Sequence, residues 1–154
     1  MLRVADEVWV ATALLHREHP DRVDFTVREI EARARRERLT EEPRKGIYPH
    51  ASLHCVANLP PNPATHRMLY ATAKSRRRLF RVGDDFHPAR GHGRVRPEPG
   101  DVPPRYRYLI DWYERGMARR AADADPLLAL SGSGKALWAD EPADDYVRRL
   151  REGW

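Results

Sequence analysis

The sequence predicts an α+β fold that is mainly helical. Residues 5–18 carry apolar side chains at helical spacing, and a second amphipathic stretch follows a capping box formed by Thr26 and Glu29. Farther along, residues 67–72 and 78–82 are rich in β-forming side chains and flank a short polar connection, as in a β-hairpin. These patterns give the order helix, helix, hairpin, with room for a third helix between residues 40 and 60.

The first two helices have clear ends. Helix 1 covers residues 5–18 and stops at His19-Pro20, where proline removes a helical hydrogen bond. A short extended piece ending at Phe25 leads into helix 2, which we expect to end near Arg38-Leu39. Its buried stripe consists of Val27, Ile30 and Ala34.

A third, short helix is predicted over about residues 50–58. Pro49 suits the first helical position, and Pro60-Pro61 forbids continuation beyond Leu59. On a helical wheel, one side is expected to pack against the domain. It consists of Leu53, Val56 and Ala57, and the opposite side presents His50, Ala51, His54 and Asn58.

The second half of the chain predicts a loop, one long helix and a tail. Residues 83–104 are rich in proline and glycine and form a long irregular loop, and residues 73–77 form the hairpin turn. Residues 105–122 form an amphipathic helix. Its stripe is Tyr106, Leu109, Ile110, Tyr113 and Met117. The tail, 123–154, holds an apolar run, a glycine-serine spacer and a final short helix over 142–151.

Positive charge is concentrated in the middle of the chain. Residues 44–97 carry a net charge of +9, whereas the segments on either side each carry −2. Such a basic segment is typical of proteins that bind a polyanion. The alternative is a basic solvated surface with no partner.

Several classes of protein are not expected. The chain lacks an 18-residue apolar run and the apolar core of a signal peptide, so we expect a cytoplasmic protein without membrane contact. The lone Cys55 makes no internal disulfide. His50, His54 and Cys55 lack a fourth ligand, so we expect no metal and no other cofactor.

The segments Asn58-Leu59-Pro60-Pro61-Asn62, Arg77-Arg78-Leu79-Phe80-Arg81-Val82-Gly83-Asp84 and His87-Pro88 resemble an uncharacterised family of winged-helix proteins over residues 5–115. The resemblance implies a winged helix-turn-helix domain over residues 1–104, with DNA as the partner. It further implies that the third helix enters the major groove while the hairpin, or wing, touches the DNA backbone or minor groove.

The residues themselves give the candidate DNA contacts. Asn58 can read adenine with both ends of its amide, and His50, Ser52 and His54 can donate to phosphates or bases. The positive charge would come from Arg44, Lys45, Arg67, Lys74, Arg76, Arg77 and Arg78. An alternative is a winged helix that contacts proteins and not DNA.

The tail has a resemblance of its own. The segments Asp125-Pro126-Leu127-Leu128-Ala129-Leu130-Ser131-Gly132-Ser133-Gly134-Lys135-Ala136-Leu137-Trp138 and Tyr146-Val147-Arg148-Arg149-Leu150-Arg151 resemble the toxin-binding tail of Phd and VapB type antitoxins. This resemblance implies an autoregulating transcription regulator with a toxin-like protein partner. The partner-binding candidates are Leu127, Leu130, Leu137, Trp138, Tyr146, Val147, Leu150 and Trp154. The alternative is that the tail packs on the 105–122 helix or on a second copy of the chain in a homodimer.

One further alternative is enzymatic. Asp84, Asp85, His87 and His92 lie close together in the sequence and could form the metal site of a nucleic-acid enzyme. Aspartates in loops more often accept hydrogen bonds from turn amides. We therefore expect no catalytic residues in the chain.

Overall fold

The computed structural model describes residues 1–42 and 44–124, and it describes side chains as far as residue 116. It has the predicted α+β class, with helices packed around a small antiparallel sheet. In chain order the main elements are helix α1 (Val4–Glu18), strand β1 (Phe25–Thr26), helix α2 (Val27–Glu37), helix α3 (Ile47–Pro49, continued by a π-helical turn at His50–His54), strands β2 (Leu69–Ala73) and β3 (Arg76–Leu79), and helix α4 (Arg107–Ala124). Two 3-10 turns, Pro88–Arg90 and Pro104–Tyr106, lie between β3 and α4.

The sheet contains three strands in the order β1-β3-β2. The extended piece before α2 is β1, and it pairs with β3 through Phe25 opposite Arg77. On the other side of β3, Leu69 of β2 lies opposite Leu79. Strand β3 is therefore central, and β2 is an edge strand.

The hairpin turn is shorter than the sequence predicts. It contains Lys74 and Ser75 alone, and Ser75 has a left-handed φ of 62°. The prediction of a turn over residues 73–77 is wrong because β1 pairs with Arg76 and Arg77 and so extends β3 toward the tip. The predicted strands exist, but each reaches closer to the turn.

Helix α3 both begins and ends earlier than the predicted 50–58. It starts at Ile47, so Pro49 lies within the first turn, where a missing N–H still costs no helical hydrogen bond. The helix stops before Pro60 because the chain beyond it pairs with the start of β2. There the Cys55 carbonyl accepts a hydrogen bond from the Leu69 N–H at 2.9 Å.

The packing side of α3 also differs from the prediction. Ala51, which we placed on the exposed side, is fully buried together with Ile47. Leu53, which we placed on the packing side, is only half-buried. Val56 and Ala57 are buried as predicted, although they lie beyond the helix. The π-helical turn accounts for the difference, because it changes the angular spacing of side chains that the wheel assumed.

Helix α1 is the centre of the hydrophobic core. Every residue from Ala5 to Leu15 is buried, including the carboxylates of Asp6 and Glu7. One side packs on the sheet and α2, and α4 covers another side, where the Trp9 and Tyr113 rings meet edge to face at 5.5 Å. The single apolar stripe read from the sequence understates this burial.

Helices α2 and α4 agree with their predictions. The Glu29 N–H donates to the Thr26 hydroxyl at 3.1 Å, and the Thr26 N–H donates to the Glu29 carboxylate at 2.8 Å, as a capping box requires. In α4, Leu109 and Ile110 are buried, as are the other described members of the predicted stripe. The Tyr113 hydroxyl donates to the Phe80 carbonyl at 2.6 Å and so links α4 to the end of β3.

The predicted loop over residues 83–104, here called the strap, is attached firmly to the domain. Arg94 forms an ion pair with buried Asp6 of α1 at 3.2 Å, and its carbonyl accepts from the Arg67 N–H at 2.8 Å. Gly93 lies so close to Thr65 that an added Cβ would be 1.7 Å from the Thr65 carbonyl oxygen. Only glycine fits at this contact.

Arg90 joins the strap to the end of α3. Its side chain is fully buried and donates to backbone carbonyls alone. The acceptors are Leu53, His54, Leu59, Pro60, Ala64 and His66, at 2.6 to 3.2 Å. One guanidinium thereby ties the last carbonyls of α3 to the proline-rich loop that follows.

Residues Met1–Met117 form one compact unit. All eight partner-binding candidates of the tail lie outside the described residues. Among the described residues, no helix is long and apolar enough to span a membrane.

The Arg90 contacts predict a large loss of stability when they are removed. Replacing Arg90 by Met keeps an apolar stem but leaves buried carbonyls without donors, so we expect the free energy of unfolding to fall by at least about 3 kcal/mol. Arg90→Lys keeps three donors on a single nitrogen, so its free energy of unfolding should lie between those of the parent protein and Arg90→Met. Urea unfolding of the full chain measures both values.

Arg36→Met is the matched control, because the Arg36 side chain is 70% exposed. We expect it to change the free energy of unfolding by no more than about 0.5 kcal/mol. Equal losses for the Arg36 and Arg90 variants would contradict the role given to Arg90.

Candidate nucleic-acid interface

Most arginines of the basic segment 44–97 contact other parts of the same domain. Five of them form ion pairs: Arg44 with Glu7, Arg76 with Asp24, Arg78 with Asp84, Arg94 with Asp6, and Arg96 with Glu114. Two others, Arg77 and Arg90, are buried and donate to backbone carbonyls. Among the described residues of this segment, only Lys45 and Lys74 are exposed cations without a hydrogen bond or an ion pair. The net charge of the segment therefore overstates what it presents to solvent.

Arg77 links the hairpin to α3. It is 6% exposed, and it donates to the Ser52 carbonyl at 2.9 Å and to the Ala73 carbonyl at 3.1 Å. Its Nε has no hydrogen-bond partner, and burial lowers the pKa of the guanidinium. The Arg77 side chain therefore lies inside the domain, and its guanidinium is turned toward backbone carbonyls and away from the surface on which we expected a phosphate contact.

Arg76 and Arg78 are also engaged. The Arg76 Nε donates to Asp24 at 2.7 Å. Arg78 makes two 2.7 Å hydrogen bonds to the Asp84 carboxylate, and its guanidinium lies 4.4 Å from the centre of the Tyr70 ring. The hairpin therefore offers far less free positive charge than its sequence indicates.

Two predicted contacts outside the wing have internal partners as well. Arg44 binds buried Glu7 at 3.0 Å, and Arg67 lies over the Phe86 ring at 4.4 Å and donates to the Gly93 carbonyl at 3.2 Å. Both side chains contact other parts of the domain. Arg44 is paired with a carboxylate, whereas the Arg67 guanidinium contacts a ring and a backbone carbonyl.

Asn58 completes the outer edge of the sheet. Its amide nitrogen donates to the Ala71 carbonyl at 3.0 Å, and its amide oxygen accepts from the Ala71 N–H at 2.8 Å. The side chain thus takes the place of a peptide group from a neighbouring strand and blocks the edge of β2. Both ends of the amide are occupied, which conflicts with the expectation that Asn58 reads adenine.

His50 and His54 lie nearly half a turn around α3 from Tyr48 and Ser52. The His50 Nδ1 is 2.7 Å from the Gly46 carbonyl, and the two imidazole rings meet at 4.9 Å. Burial lowers the pKa of His50, and the nearby His54 lowers it further. The two histidines therefore do not share the exposed side of α3, on which we expected them to meet DNA.

A different set of side chains forms a continuous exposed surface. Arg28 and Arg35 of α2 and Tyr48 of α3 line one open groove of about 460 Å³. Tyr48 is 42% exposed, and Ser52 follows one turn later on the same side of α3. Arg28 is exposed and has no partner among the described residues.

The hairpin tip adjoins this groove. The Val27 N–H, one residue before Arg28, donates to the Ser75 carbonyl at 2.9 Å. Exposed Lys74 therefore lies beside the first turn of α2. We call Arg28, Arg35, Tyr48, Ser52 and Lys74 together the α2–α3 surface.

Of these residues, sequence reasoning found Ser52 and Lys74 and missed the other three. A signal for two of them was present, because Arg28 and Arg35 lie seven residues apart, on one side of α2 and away from its buried stripe. For Tyr48 the misplaced start of α3 concealed the signal. Lys45, the remaining candidate, is exposed but has no contact that connects it to the surface.

The aspartates of the strap have structural partners. Asp84 binds Arg78 and also accepts from the Arg81 N–H at 2.7 Å, while Asp85 accepts from the Tyr70 hydroxyl at 2.6 Å. Among the described residues, no group of three or more histidine, cysteine or acidic side chains is arranged to hold a metal ion.

Comparison of the chain with protein-family models, curated proteins and solved structures gave no match. A functional assignment therefore depends on the contacts and charges of the α2–α3 surface.

The edge position of Asn58 predicts the behaviour of two variants. Asn58→Ala leaves both polar groups of Ala71 without partners, so we expect a loss of about 1 to 3 kcal/mol in the free energy of unfolding. Asn58→Asp keeps an acceptor for the N–H but places a carboxylate beside the carbonyl. The free energy of unfolding of this variant should approach that of the parent protein as the pH falls, because a protonated carboxyl group can again donate to the Ala71 carbonyl. A deficit independent of pH would contradict this arrangement.

His66 predicts a pH dependence of stability. Burial, followed by the charge of Arg94, lowers the pKa of His66 from 6.5 to about 4, with smaller effects from His50, Arg3 and Arg90. The folded state therefore binds this proton less readily than the unfolded chain. The free energy of unfolding consequently decreases as the pH falls from 6.5 through about 4. His66→Asn should lose less stability than the parent protein over that range in urea unfolding. Parallel pH profiles for the two proteins would show that His66 contributes nothing.

Proposed function

We propose that this chain is a winged helix-turn-helix protein that binds double-stranded DNA and regulates transcription. The observation that carries the proposal is the α2–α3 surface, where the unpaired cations Arg28 and Lys74 flank the exposed side of α3. The element order α1-β1-α2-α3-β2-β3, with β1 paired to β3, supports the winged-helix assignment. In such a domain α2 and α3 are the helix-turn-helix, and the β2–β3 hairpin is the wing.

The proposed docking follows from that arrangement. The second helix of a helix-turn-helix enters the major groove, and here that helix is α3. Its exposed side offers the Tyr48 hydroxyl, which can donate to a phosphate or a base edge. The Ser52 hydroxyl donates to the Pro49 carbonyl at 3.3 Å, and its oxygen can accept from a base edge. This side of α3 carries no arginine or lysine, so we infer that phosphate contacts supply most of the affinity.

The wing takes a smaller part than its sequence indicates. Its turn is only two residues long, and the tip is held against α2 by the Ser75 carbonyl. Lys74 is the wing cation that we retain as a phosphate contact. Arg77 and Arg78 are buried, and Arg76 is paired with Asp24, so we do not retain these three as phosphate contacts.

We also propose an antitoxin-like role, which depends on the tail, residues 123–154. It would add a toxin-like protein partner to the DNA partner. An interaction module without DNA binding is the rival function, and it gives no reason for unpaired Arg28 and Lys74 to lie beside the exposed side of α3.

The salt dependence of binding tests the proposal. Full-length protein is titrated into a fluorescently labelled duplex of mixed sequence, and anisotropy gives the affinity at several salt concentrations. We expect measurable binding that weakens with salt, and Lys74→Gln should reduce the log–log slope by about 0.9, the value for one phosphate contact.

Arg115→Gln is the control variant, because it makes the same change in net charge on the exposed side of α4. There Arg115 donates to the Asp111 carbonyl. This variant should leave the slope unchanged. Absence of binding at low salt, or equal slopes for the two variants, would refute DNA binding through the wing.

A further inference from the structure

We propose that the groove between α2 and α3 is a phosphate site, in which one phosphodiester of the DNA backbone binds Arg28, Arg35 and Tyr48. This inference rests on the proposed function and specifies a contact within it. The main contact to the DNA backbone is thereby assigned to α2 and not to the wing arginines, even though α2 lies in a segment whose net charge is negative.

The shape of the groove fits a backbone phosphate. Its lining consists of Arg28, Glu31, Ala32, Arg35 and Tyr48. Arg28, Ala32 and Arg35 recur at helical spacing, so they form one side of α2 facing Tyr48. Ala32, the smallest member, leaves space between the two arginines, and the groove opens to solvent, so that a DNA strand can approach it.

The donors in the groove are partly free. Arg28 has no hydrogen bond or ion pair among the described residues and presents its whole guanidinium. Arg35 donates from Nε and Nη2 to Glu31 at 3.3 and 2.8 Å, which leaves Nη1 available. Arginine and tyrosine donors of this kind are common phosphate ligands.

Buried Arg77 strengthens the positive potential beneath the groove. Its hydrogen bonds go to backbone carbonyls, and Tyr48 is close enough for the two groups to interact electrostatically. Among the residues that the structure describes, no carboxylate lies within hydrogen-bond distance of the Arg77 guanidinium. A desolvated cation acts over a longer range than a solvated one, so it favours an anion in front of Tyr48.

The other side of α2 provides a contrast. Arg33 binds Glu18 and Glu37 at 2.8 and 2.5 Å, and Arg36 lies 3.7 Å from Glu18. The arginines that face α1 are thus paired with carboxylates. On the α3 side, Arg35 is paired with Glu31 at 2.8 Å and keeps one free nitrogen, while Arg28 is unpaired. Internal ion pairs place the free charge of α2 on the groove side.

Two glutamine variants on α2 test the phosphate site. Arg28→Gln and Arg36→Gln each remove one exposed arginine from the same helix, and thermal melting confirms that both fold. In the duplex titration, we expect Arg28→Gln to weaken binding several-fold at low salt and to lower the log–log slope by about 0.9. Arg36→Gln should match the parent protein. Tyr48→Phe should weaken binding without changing the slope, since it removes a neutral donor.

The outcomes separate the two proposals. If the parent protein does not bind duplex DNA, the proposed function fails and the phosphate site fails with it. If the parent binds and Lys74→Gln lowers the slope, but Arg28→Gln behaves like Arg36→Gln, the groove is not a phosphate site while DNA binding stands.

Discussion

The Arg90 guanidinium, enclosed by backbone carbonyls, is the interaction on which the rest of the domain depends. It binds the last carbonyls of α3, the proline-rich loop and the chain leading into β2, all from one residue of the strap. Burial of a cation is costly, and here the offset comes from carbonyl dipoles without a carboxylate. Because these carbonyls terminate α3, the orientation of that helix against the hairpin depends on Arg90. The proposed DNA surface is built on this junction.

The same use of arginine recurs through the domain. Arg77 joins the hairpin to α3 through the Ser52 carbonyl, and Arg44 and Arg94 reach the two buried carboxylates of α1. A small core with a strongly charged sequence is stabilised here by arginines that satisfy buried acceptors. The consequence for function is that the unpaired charge open to a partner is set by which basic side chains lack an internal acceptor. Arg28 and Lys74 are such cations, and they lie on the same surface.

Local patterns predicted much of the fold. The capping box at Thr26, the stripe in α4 and the paired β-rich segments identified their elements because the necessary information lies within a few residues. The end of α3 and the length of the hairpin turn depend instead on partners far along the chain, namely β2 and β1. The roles of the arginines were the least predictable. Arg94 and Asp6 are separated by 88 residues, and no local pattern indicates that they pair. Net charge counted along the sequence consequently does not show which of the basic side chains are exposed and unpaired.

Nuclear magnetic resonance titration tests the central claim, that the α2–α3 surface binds DNA, most directly. Duplex DNA is added to the full-length 15N-labelled protein, and amide chemical shifts are followed residue by residue. We expect the largest changes in residues 28–35, 48–52 and 74–75. The strap around Arg90 and the exposed side of α4 should change little. Changes concentrated on the strap or on α4, with the α2–α3 surface unaffected, would contradict the account.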